Sequence, residues 1–220
     1  MTARPPRVLL TGFEPFGGEA VNPSWEIARA LDGWECEGHV VRSVRLSCVF
    51  GEALRDLDAA LEAHTPALVM CLGQAGGRAE ISIERVAINV DDARIPDNRG
   101  RQPVDDVIEA DGPAAYFSTL PIKALARDAR AAGIAASVSN TAGTFVCNHV
   151  FYALMHRLAT RPLHGRTRGG FVHVPYTPEQ AAGRDVPSMA LATQVEGVRA
   201  LLRSALRTGE DIRENAGREH

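Results

Sequence analysis

The chain contains one uninterrupted apolar run, Ala67-Leu68-Val69-Met70-Cys71-Leu72, which ends at Gly73. A continuous apolar run of this length, closed by a glycine, is typical of a strand that is buried on both faces. Residues 52–64 precede it and carry leucines at the three- and four-residue spacing of an amphipathic helix. A buried strand that follows an amphipathic helix indicates an α/β architecture with a parallel sheet.

The same alternation continues along the chain. Further strands are predicted over 7–11, 40–46, 81–90, 135–139 and 170–174, and further helices after Asn22-Pro23-Ser24 and over 120–133, 148–160 and 189–207. We therefore predict one α/β domain over residues 1–220, a single-domain three-layer αβα sandwich with a largely parallel twisted sheet and helices on both faces. Residues 1–6 and about 208–220 are expected to be flexible. Ligands in such sheets bind beyond the carboxyl ends of the strands. This rule groups the loops after Leu10, Leu72, Ser139 and Val174.

The composition excludes several functional classes. Hydrophobic residues make up 45% of the 220 residues and charged residues 23%, which fits neither a disordered nor a membrane-embedded chain. The net charge of −3 gives no electrostatic sign of nucleic-acid binding. Residues 1–7 are polar and no signal-peptide apolar segment follows them, so we expect a cytoplasmic protein with no membrane partner. The four cysteines lack CxxC spacing and are expected to be free thiols.

A candidate nucleophile lies in the segment Ser139-Asn140-Thr141-Ala142-Gly143-Thr144-Phe145-Val146-Cys147-Asn148-His149. Small residues lead to Cys147, which stands near the predicted start of a helix. The positive end of a helix dipole and its unpaired N–H groups favour a thiolate and can hold a developing oxyanion. The alternative is a buried structural cysteine, which is the more common role of a free cysteine.

A cysteine nucleophile needs a base within reach. His173 ends the predicted strand 170–174 and therefore lies at the edge where ligands bind, although a histidine packed in the core would fit the same pattern. The remaining histidines lie too close to Cys147 in sequence, on the far side of its helix, or in loops and element ends without a supporting motif: His39, His64, His149, His156, His164 and His220.

Glu84 is the candidate third member of this group. It lies in the apolar stretch 81–89, where an unpaired carboxylate facing the core would be costly. A carboxylate beside the base would fix the tautomer of the imidazole and stabilise its charge. The alternative is an ion pair with Arg85, or across the strands, on a solvated face. The rival carboxylates lie in a polar loop that explains them without a function: Asp91, Asp92 and Asp97.

Two glycine-containing loops follow predicted strands. The first, residues 12–18, has neither the Lys-Ser/Thr of a phosphate-binding loop nor GxGxxG spacing, and it carries Phe13 and Phe16. Aromatic rings at the edge of a sheet pack inward or line a small apolar pocket. The second, residues 73–78, offers the amide of Gln74 to a neutral polar ligand, and no acidic ribose partner follows it at dinucleotide spacing. Further candidates for the same pocket are Asn22, Ile95, Phe145 and Val146.

Together these segments resemble the pyroglutamyl-peptidase I family, also called pyrrolidone-carboxylate peptidase. The matching segments cover nearly the whole chain in the order of the family: Gly12-Phe13-Glu14-Pro15-Phe16-Gly17-Gly18 with Asn22-Pro23-Ser24, Gly73-Gln74-Ala75-Gly76-Gly77-Arg78, residues 84–89 running into 91–98, Tyr116-Phe117-Ser118-Thr119-Leu120-Pro121, residues 139–148 and His173-Val174-Pro175-Tyr176. Several of these motifs are weak alone, and their combination is highly specific.

The resemblance implies a cysteine-type omega-peptidase that hydrolyses the amide bond after an N-terminal pyroglutamyl residue, through an acyl-enzyme. Cys147, His173 and Glu84 match the catalytic triad of the family. The substrate-binding positions of the family match Phe13, Phe16, Gln74, Ile95, Phe145 and Val146, with Asn22 beside them and Arg94 near the active site. The resemblance implies no cofactor or metal. Peptides or proteins with N-terminal pyroglutamate are the expected partners, and assembly into dimers or tetramers is common in the family.

Two other functions fit the same residues. One is an amidase of different acyl specificity that uses the same triad, and the other is a binding module for blocked N-termini whose thiol is idle. Release of an amine from a pyroglutamyl anilide but not from a prolyl anilide, with sensitivity to iodoacetamide, distinguishes the peptidase from both.

Overall fold

The structure is a computed structural model that describes residues 5–161 and 167–217. The outermost parts of the ends expected to be flexible, 1–4 and 218–220, lie outside the described residues, as do His164 and His220. Within the described part, no helix is both long enough and apolar enough to cross a membrane.

Strands and helices alternate as the sequence predicts. The strands are β1 (Arg7–Phe13), β2 (Glu35–Cys36), β3 (His39–Leu46), β4 (Leu68–Gln74), β5 (Ile81–Glu84), β6 (Val86–Ile88), β7 (Ala115–Phe117), β8 (Ala136–Ser139) and β9 (Arg168–Val174). The helices are α1 (Pro23–Ala30), α2 (Glu52–His64), α3 (Ile122–Ala131), α4 (Val146–Thr160), α5 (Pro178–Ala181) and α6 (Leu191–Arg207). The predicted helix over 52–64 coincides with α2, whereas the short elements β2, β7 and α5 were not predicted.

The main sheet has seven strands in the order β2-β3-β1-β4-β9-β5-β8. Strands β3, β1, β4 and β9 run parallel to one another, which confirms the largely parallel sheet of an α/β fold. Strand β5 pairs antiparallel with β9, and β8 pairs parallel with β5. The carboxyl end of β8 therefore points away from the edge formed by the carboxyl ends of β4 and β9, which differs from the predicted grouping of the loops.

The predicted strand over 81–90 divides at Arg85. Residues 81–84 belong to the main sheet as β5, whereas 86–88 pair with β7 in a separate two-stranded sheet. The backbone of Arg85 joins the two, because its N–H donates to the carbonyl of Ser139 and its carbonyl accepts from the N–H of Ser118. An apolar run does not show by itself where a strand changes partner.

Apolar layers cover both faces of the main sheet. Leu68, Met70 and Leu72 of β4 face the layer formed with α1, α3 and α6, and the intervening Val69 and Cys71 face the layer formed with α2 and α4. Successive side chains of a strand point to opposite faces, so a strand buried on both sides shows no polar alternation. The uninterrupted apolar run of β4 has this cause.

The segment after α6 contacts the body of the protein. The carboxylate of Asp211 accepts hydrogen bonds from the backbone N–H groups of Lys123 and Ala124, at the start of α3. The carbonyl of Ala216 accepts a hydrogen bond from Arg85. A carboxylate in this position stabilises the amino end of a helix that has no side-chain cap of its own. Residues 208–217 were expected to be flexible, and these contacts hold them against α3 and Arg85.

Candidate active site

Strand alternation brings the main candidates to the same face of the sheet. Ile81 and Ile83 of β5 belong to the layer with α1, α3 and α6, so Glu84 faces the opposite side, where α2 and α4 lie. The same alternation applies to β9, in which Phe171 packs in the α2 and α4 layer and His173 follows two residues later. Helix α4 carries Cys147 onto this face. Three residues that are distant in sequence therefore lie on one face of the sheet, and Cys147 and His173 line the same cleft.

Cys147 is the second residue of α4. The residue at the N-cap position, Phe145, makes no side-chain hydrogen bond to the helix. N–H groups of the first turn consequently remain available for an external acceptor. The buried Asn148 anchors this turn, because its side chain exchanges hydrogen bonds of 2.9 and 3.0 Å with the backbone of Ile88.

Gly73 makes room for the thiol. A β-carbon added to Gly73 would stand 2.8 Å from Sγ of Cys147 and 2.8 Å from the ring of Phe171. Gly73 is also the register partner of His173 in the pairing of β4 with β9. The absence of a side chain at Gly73 therefore permits the thiol to approach the strand that carries the histidine.

His173 and Glu84 form a buried pair. Nδ1 of His173 lies 2.7 Å from Oε1 of Glu84, and the two residues are 3% and 0% exposed. A carboxylate can only accept a hydrogen bond, so Nδ1 carries the proton and Nε2 is free to accept one. Such a pair fixes the tautomer and the orientation that a general base requires.

Arg78 contacts the same carboxylate oxygen. Its Nη1 atom lies 2.6 Å from Oε1 of Glu84, and its Nη2 atom donates a hydrogen bond of 3.1 Å to the carbonyl of Thr141. Arg85, the alternative ion-pair partner, bonds instead to Asn140 and to the carbonyl of Ala216. Glu84 thus takes part in an ion pair as well as in the contact with His173.

The surroundings raise the pKa of the Cys147 thiol to about 12. Burial is the largest cause, because it disfavours the charged thiolate, and the negative charge of Glu84 acts in the same direction. The positive charge of Arg78 lowers this pKa, but by less. Cys147 is consequently a thiol at neutral pH in the resting protein, and it needs a base to take its proton.

A cleft of about 630 Å³ opens in front of Cys147 and His173. Five of the predicted substrate-binding residues line it: Phe16, Gln74, Arg94, Ile95 and Phe145. The rings of Phe16 and Phe145 are tilted by 39°, and their centroids are 6.0 Å apart. They provide an apolar wall near the thiol, which for Phe16 is one of the two arrangements that the composition of loop 12–18 allows.

Three predicted pocket residues lie outside the lining of this cleft. Phe13 is 2% exposed and packs against Phe171, with ring centroids 6.4 Å apart. Asn22 caps α1, since its Oδ1 accepts hydrogen bonds from the N–H and the hydroxyl of Ser24. Val146 is fully buried in the α2 and α4 layer. Core packing and helix capping account for these three side chains in the structure.

A buried hydrogen bond orients the amide of Gln74. Nε2 of Gln180, in α5, donates to Oε1 of Gln74 over 2.9 Å. This bond orients the amide by holding its oxygen toward Gln180, and the amide nitrogen is a donor that can meet a ligand. Gln180 is itself held by a capping box with Thr177.

Several residues of the cleft were not assigned a role from the sequence, among them Arg78, Asp92, Tyr176 and Val186. Arg78 and Tyr176 lie inside segments that match the family. A buried carboxylate such as Glu84 needs a positively charged partner, and this requirement could have indicated the nearby Arg78. Val186 follows α5, an element that the sequence pattern did not predict.

His149 has a structural environment, in line with its rejection as a base. Its Nε2 accepts a hydrogen bond from the N–H of Gly51, and its Nδ1 lies 2.7 Å from Asp91. Cys36, Cys48, Cys71 and Cys147 are free thiols, as predicted. Among the residues that the structure describes, no three His, Cys, Asp or Glu residues are grouped so that they could hold a metal ion.

Comparison with known proteins shows the family of the chain. The family model for pyroglutamyl peptidase matches residues 6–208. The chain is 62% identical to the pyrrolidone-carboxylate peptidase of Cupriavidus taiwanensis, over 98% of this chain and 100% of the relative. It is 55% identical to that of Bacillus cytotoxicus, over 97% of this chain and 99% of the relative.

Solved structures show the same fold. The crystal structure of pyroglutamyl peptidase I from Bacillus amyloliquefaciens superposes with a TM-score of 0.93 at 45% identity, over 96% of this chain and 100% of that chain. A mutant pyrrolidone carboxyl peptidase from Pyrococcus furiosus gives a TM-score of 0.88 at 43% identity, over 91% and 98%. The chain belongs to the pyroglutamyl peptidase family.

Proposed function

We propose that this protein is a cysteine-type omega-peptidase that removes an N-terminal pyroglutamyl residue from peptides or proteins, with Cys147 as nucleophile, His173 as base and Glu84 as the residue that orients the base. The observation that carries the proposal is the meeting of a thiol, an imidazole and a buried carboxylate on one face of the sheet, at an apolar cleft. Membership of the family supports the same conclusion.

The reaction begins with proton transfer from the Cys147 thiol to Nε2 of His173, because the raised pKa keeps the thiol protonated at neutral pH. Sulfur then attacks the carbonyl that joins pyroglutamate to the next residue, and the N–H groups at the start of α4 stabilise the oxyanion. His173 returns the proton to the leaving amine, and the C–N bond breaks. Water, deprotonated by His173, then hydrolyses the thioester and regenerates the thiol.

The cleft suits a neutral lactam. The apolar carbons of the pyroglutamyl ring pack against Phe16 and Phe145, and the side-chain nitrogen of Gln74 donates to the ring carbonyl. A substrate with a free N-terminal amine brings a positive charge into this apolar space and is rejected by the cost of desolvation. Specificity therefore needs no charged recognition residue.

The remaining predicted residues act around this pocket. Ile95 and Arg94 lie at the exposed side of the cleft, where the peptide beyond the scissile bond emerges. Phe13, Asn22 and Val146 support the pocket from behind through the packing and capping contacts described above. The two apolar layers share one sheet, which supports a single domain. Four free thiols suit the reducing cytoplasm, and the family resemblance supports a homo-oligomer, a dimer or a tetramer, that needs no cofactor.

The test compares release of a fluorescent amine from a pyroglutamyl anilide and from a prolyl anilide. Proline lacks the ring carbonyl and carries a charged nitrogen, so kcat/KM should favour the pyroglutamyl substrate by ~1,000-fold or more. Iodoacetamide and Cys147→Ser should each abolish turnover, while the matched Cys36→Ser variant stays active. Comparable cleavage of both substrates would favour a less specific amidase, and binding without turnover would favour a binding module.

A further inference from the structure

Glu84 is fully buried, and its contact with His173 uses only one of its two carboxylate oxygens. The residue is 0% exposed, and its second oxygen, Oε2, has no hydrogen-bond partner within the described part of the chain. Both contacts of the carboxylate therefore converge on Oε1, at 2.7 Å from His173 and at 2.6 Å from Arg78. We propose that Arg78 is a positioning residue for the peptidase reaction, which compensates the negative charge of Glu84 and holds its carboxylate in place while His173 takes up and returns the proton of the thiol.

The charges of the three groups explain why such a residue is needed. A buried carboxylate without a positive partner is strongly destabilised. His173 supplies a positive charge only during the part of the cycle in which it holds the proton of the thiol. Arginine remains charged at every pH of interest. Arg78 therefore compensates Glu84 in the half of the cycle in which His173 is neutral.

Arg78 also connects the carboxylate to the loop that precedes the nucleophile. The nitrogen that does not bond Glu84 donates to the carbonyl of Thr141, in the segment between β8 and Cys147. A planar guanidinium can make both bonds in a fixed relative geometry, whereas the ammonium of lysine cannot. One side chain thus links the element that orients the base to the loop that leads to the nucleophile.

A neighbouring arginine provides a matched control. The guanidinium of Arg85 bonds the side chain of Asn140, next to Thr141, and the carbonyl of Ala216, and forms no ion pair with the neighbouring Glu84 in the described structure. Loss of either arginine removes a guanidinium that binds this loop. Only the loss of Arg78 leaves the buried carboxylate of Glu84 without its arginine partner. The positive charge of Arg78 also lowers the pKa of the Cys147 thiol, whereas Arg85 is not among the charges that affect it.

The inference rests on the proposed function, so the experiment measures the full-length protein with a pyroglutamyl anilide. Arg78→Met is expected to lower kcat by about 10- to 100-fold, the range for loss of a charge-assisted hydrogen bond, while KM changes less than about threefold. The rate of alkylation of Cys147 at fixed pH should fall as well. Arg78→Lys should recover part of kcat, and Arg85→Met should stay within about threefold of the unaltered protein.

The outcomes separate the two proposals. If the unaltered protein does not cleave the substrate, the proposed function fails, whatever Arg78 does. If it cleaves and folded Arg78→Met retains its kcat, or if Arg85→Met loses as much, the positioning role is overturned. Should Arg78→Met fail to fold, Arg78→Lys and Arg78→Gln decide: a reduced kcat with an unchanged circular dichroism spectrum supports the inference, and an unchanged kcat refutes it.

Discussion

Sγ of Cys147 lies 2.8 Å from the point where a β-carbon of Gly73 would stand. This distance is shorter than a carbon and a sulfur atom can approach without displacement. The second neighbour of that point, the ring of Phe171, is fully buried in the core and cannot yield easily. An alanine at Gly73 must therefore move the thiol.

Gly73→Ala is expected to lower kcat/KM by roughly 100-fold, because a displacement of about 1 Å at a reacting atom has an effect of this size. It should destabilise the fold by only about 1–3 kcal/mol, the usual cost of overpacking. Gly209→Ala is the control, since a β-carbon there meets no neighbour within 4 Å. Steady-state kinetics and thermal unfolding measure both effects, and full activity of Gly73→Ala would contradict the close approach.

Glu84→Gln should lower kcat by about 10²- to 10⁴-fold with little change in KM, since a neutral amide stabilises the imidazolium less and does not enforce the tautomer of the neutral imidazole. Glu80→Gln removes a carboxylate that bonds Ser137 outside the cleft and is expected to retain activity. If Glu84→Gln lowers the stability of the fold, but Cys147 in the folded fraction still reacts with iodoacetamide at the normal rate, Glu84 is a structural ion-pair residue only.

The pKa of about 12 for the Cys147 thiol predicts how alkylation depends on pH. A raised pKa favours the protonated form at neutral pH, and iodoacetamide reacts with the thiolate. The rate of modification should therefore rise about tenfold per pH unit between about pH 7 and 9. Peptide mass spectrometry measures the modification, with Cys147→Ser as the control. A rate that is constant above neutral pH would instead show a preformed thiolate.

Gln180→Leu should raise KM for the pyroglutamyl anilide by about 5- to 50-fold with a smaller change in kcat, because Gln74 loses the bond that orients its amide. Thr177→Ala is the matched control. It removes the hydroxyl that accepts the hydrogen bond from the backbone N–H of Gln180, and it leaves the bond between Gln180 and Gln74 in place. Equal effects of the two substitutions would show that disruption of α5, and not the orientation of Gln74, is responsible.

The sequence predicted the strands and helices in which apolar residues follow one another or recur at a regular spacing. The apolar run before Gly73 and the leucine spacing of 52–64 gave β4 and α2 nearly at their observed bounds. The direction of β5 was not predictable, because strands of either direction share the same side-chain period. The direction of β5 determines which residues of β9 lie beside Glu84.

The contents of the cleft were predicted less completely. Phe16 and Phe145 line it, whereas Phe13 and Val146, which lie close to them in sequence, fill the core. An apolar residue at the edge of a site fits a pocket wall and a core equally well by composition. Arg78 was visible in a matching segment, but the pattern does not show that the loop after β4 folds back so that Arg78 reaches Glu84 on β5.

The position of β9 in the strand order has a consequence for synthesis of the chain. Within the described residues it is the last strand in sequence, yet it lies between β4 and β5 and joins the two halves of the main sheet. Until residues 168–174 leave the ribosome, β4 and β5 each present an unpaired edge, which is a site for aggregation. Because β9 also carries His173, the nascent protein acquires its proposed base at the moment when the sheet closes. Incompletely synthesised chains are therefore expected to lack the proposed base and to aggregate.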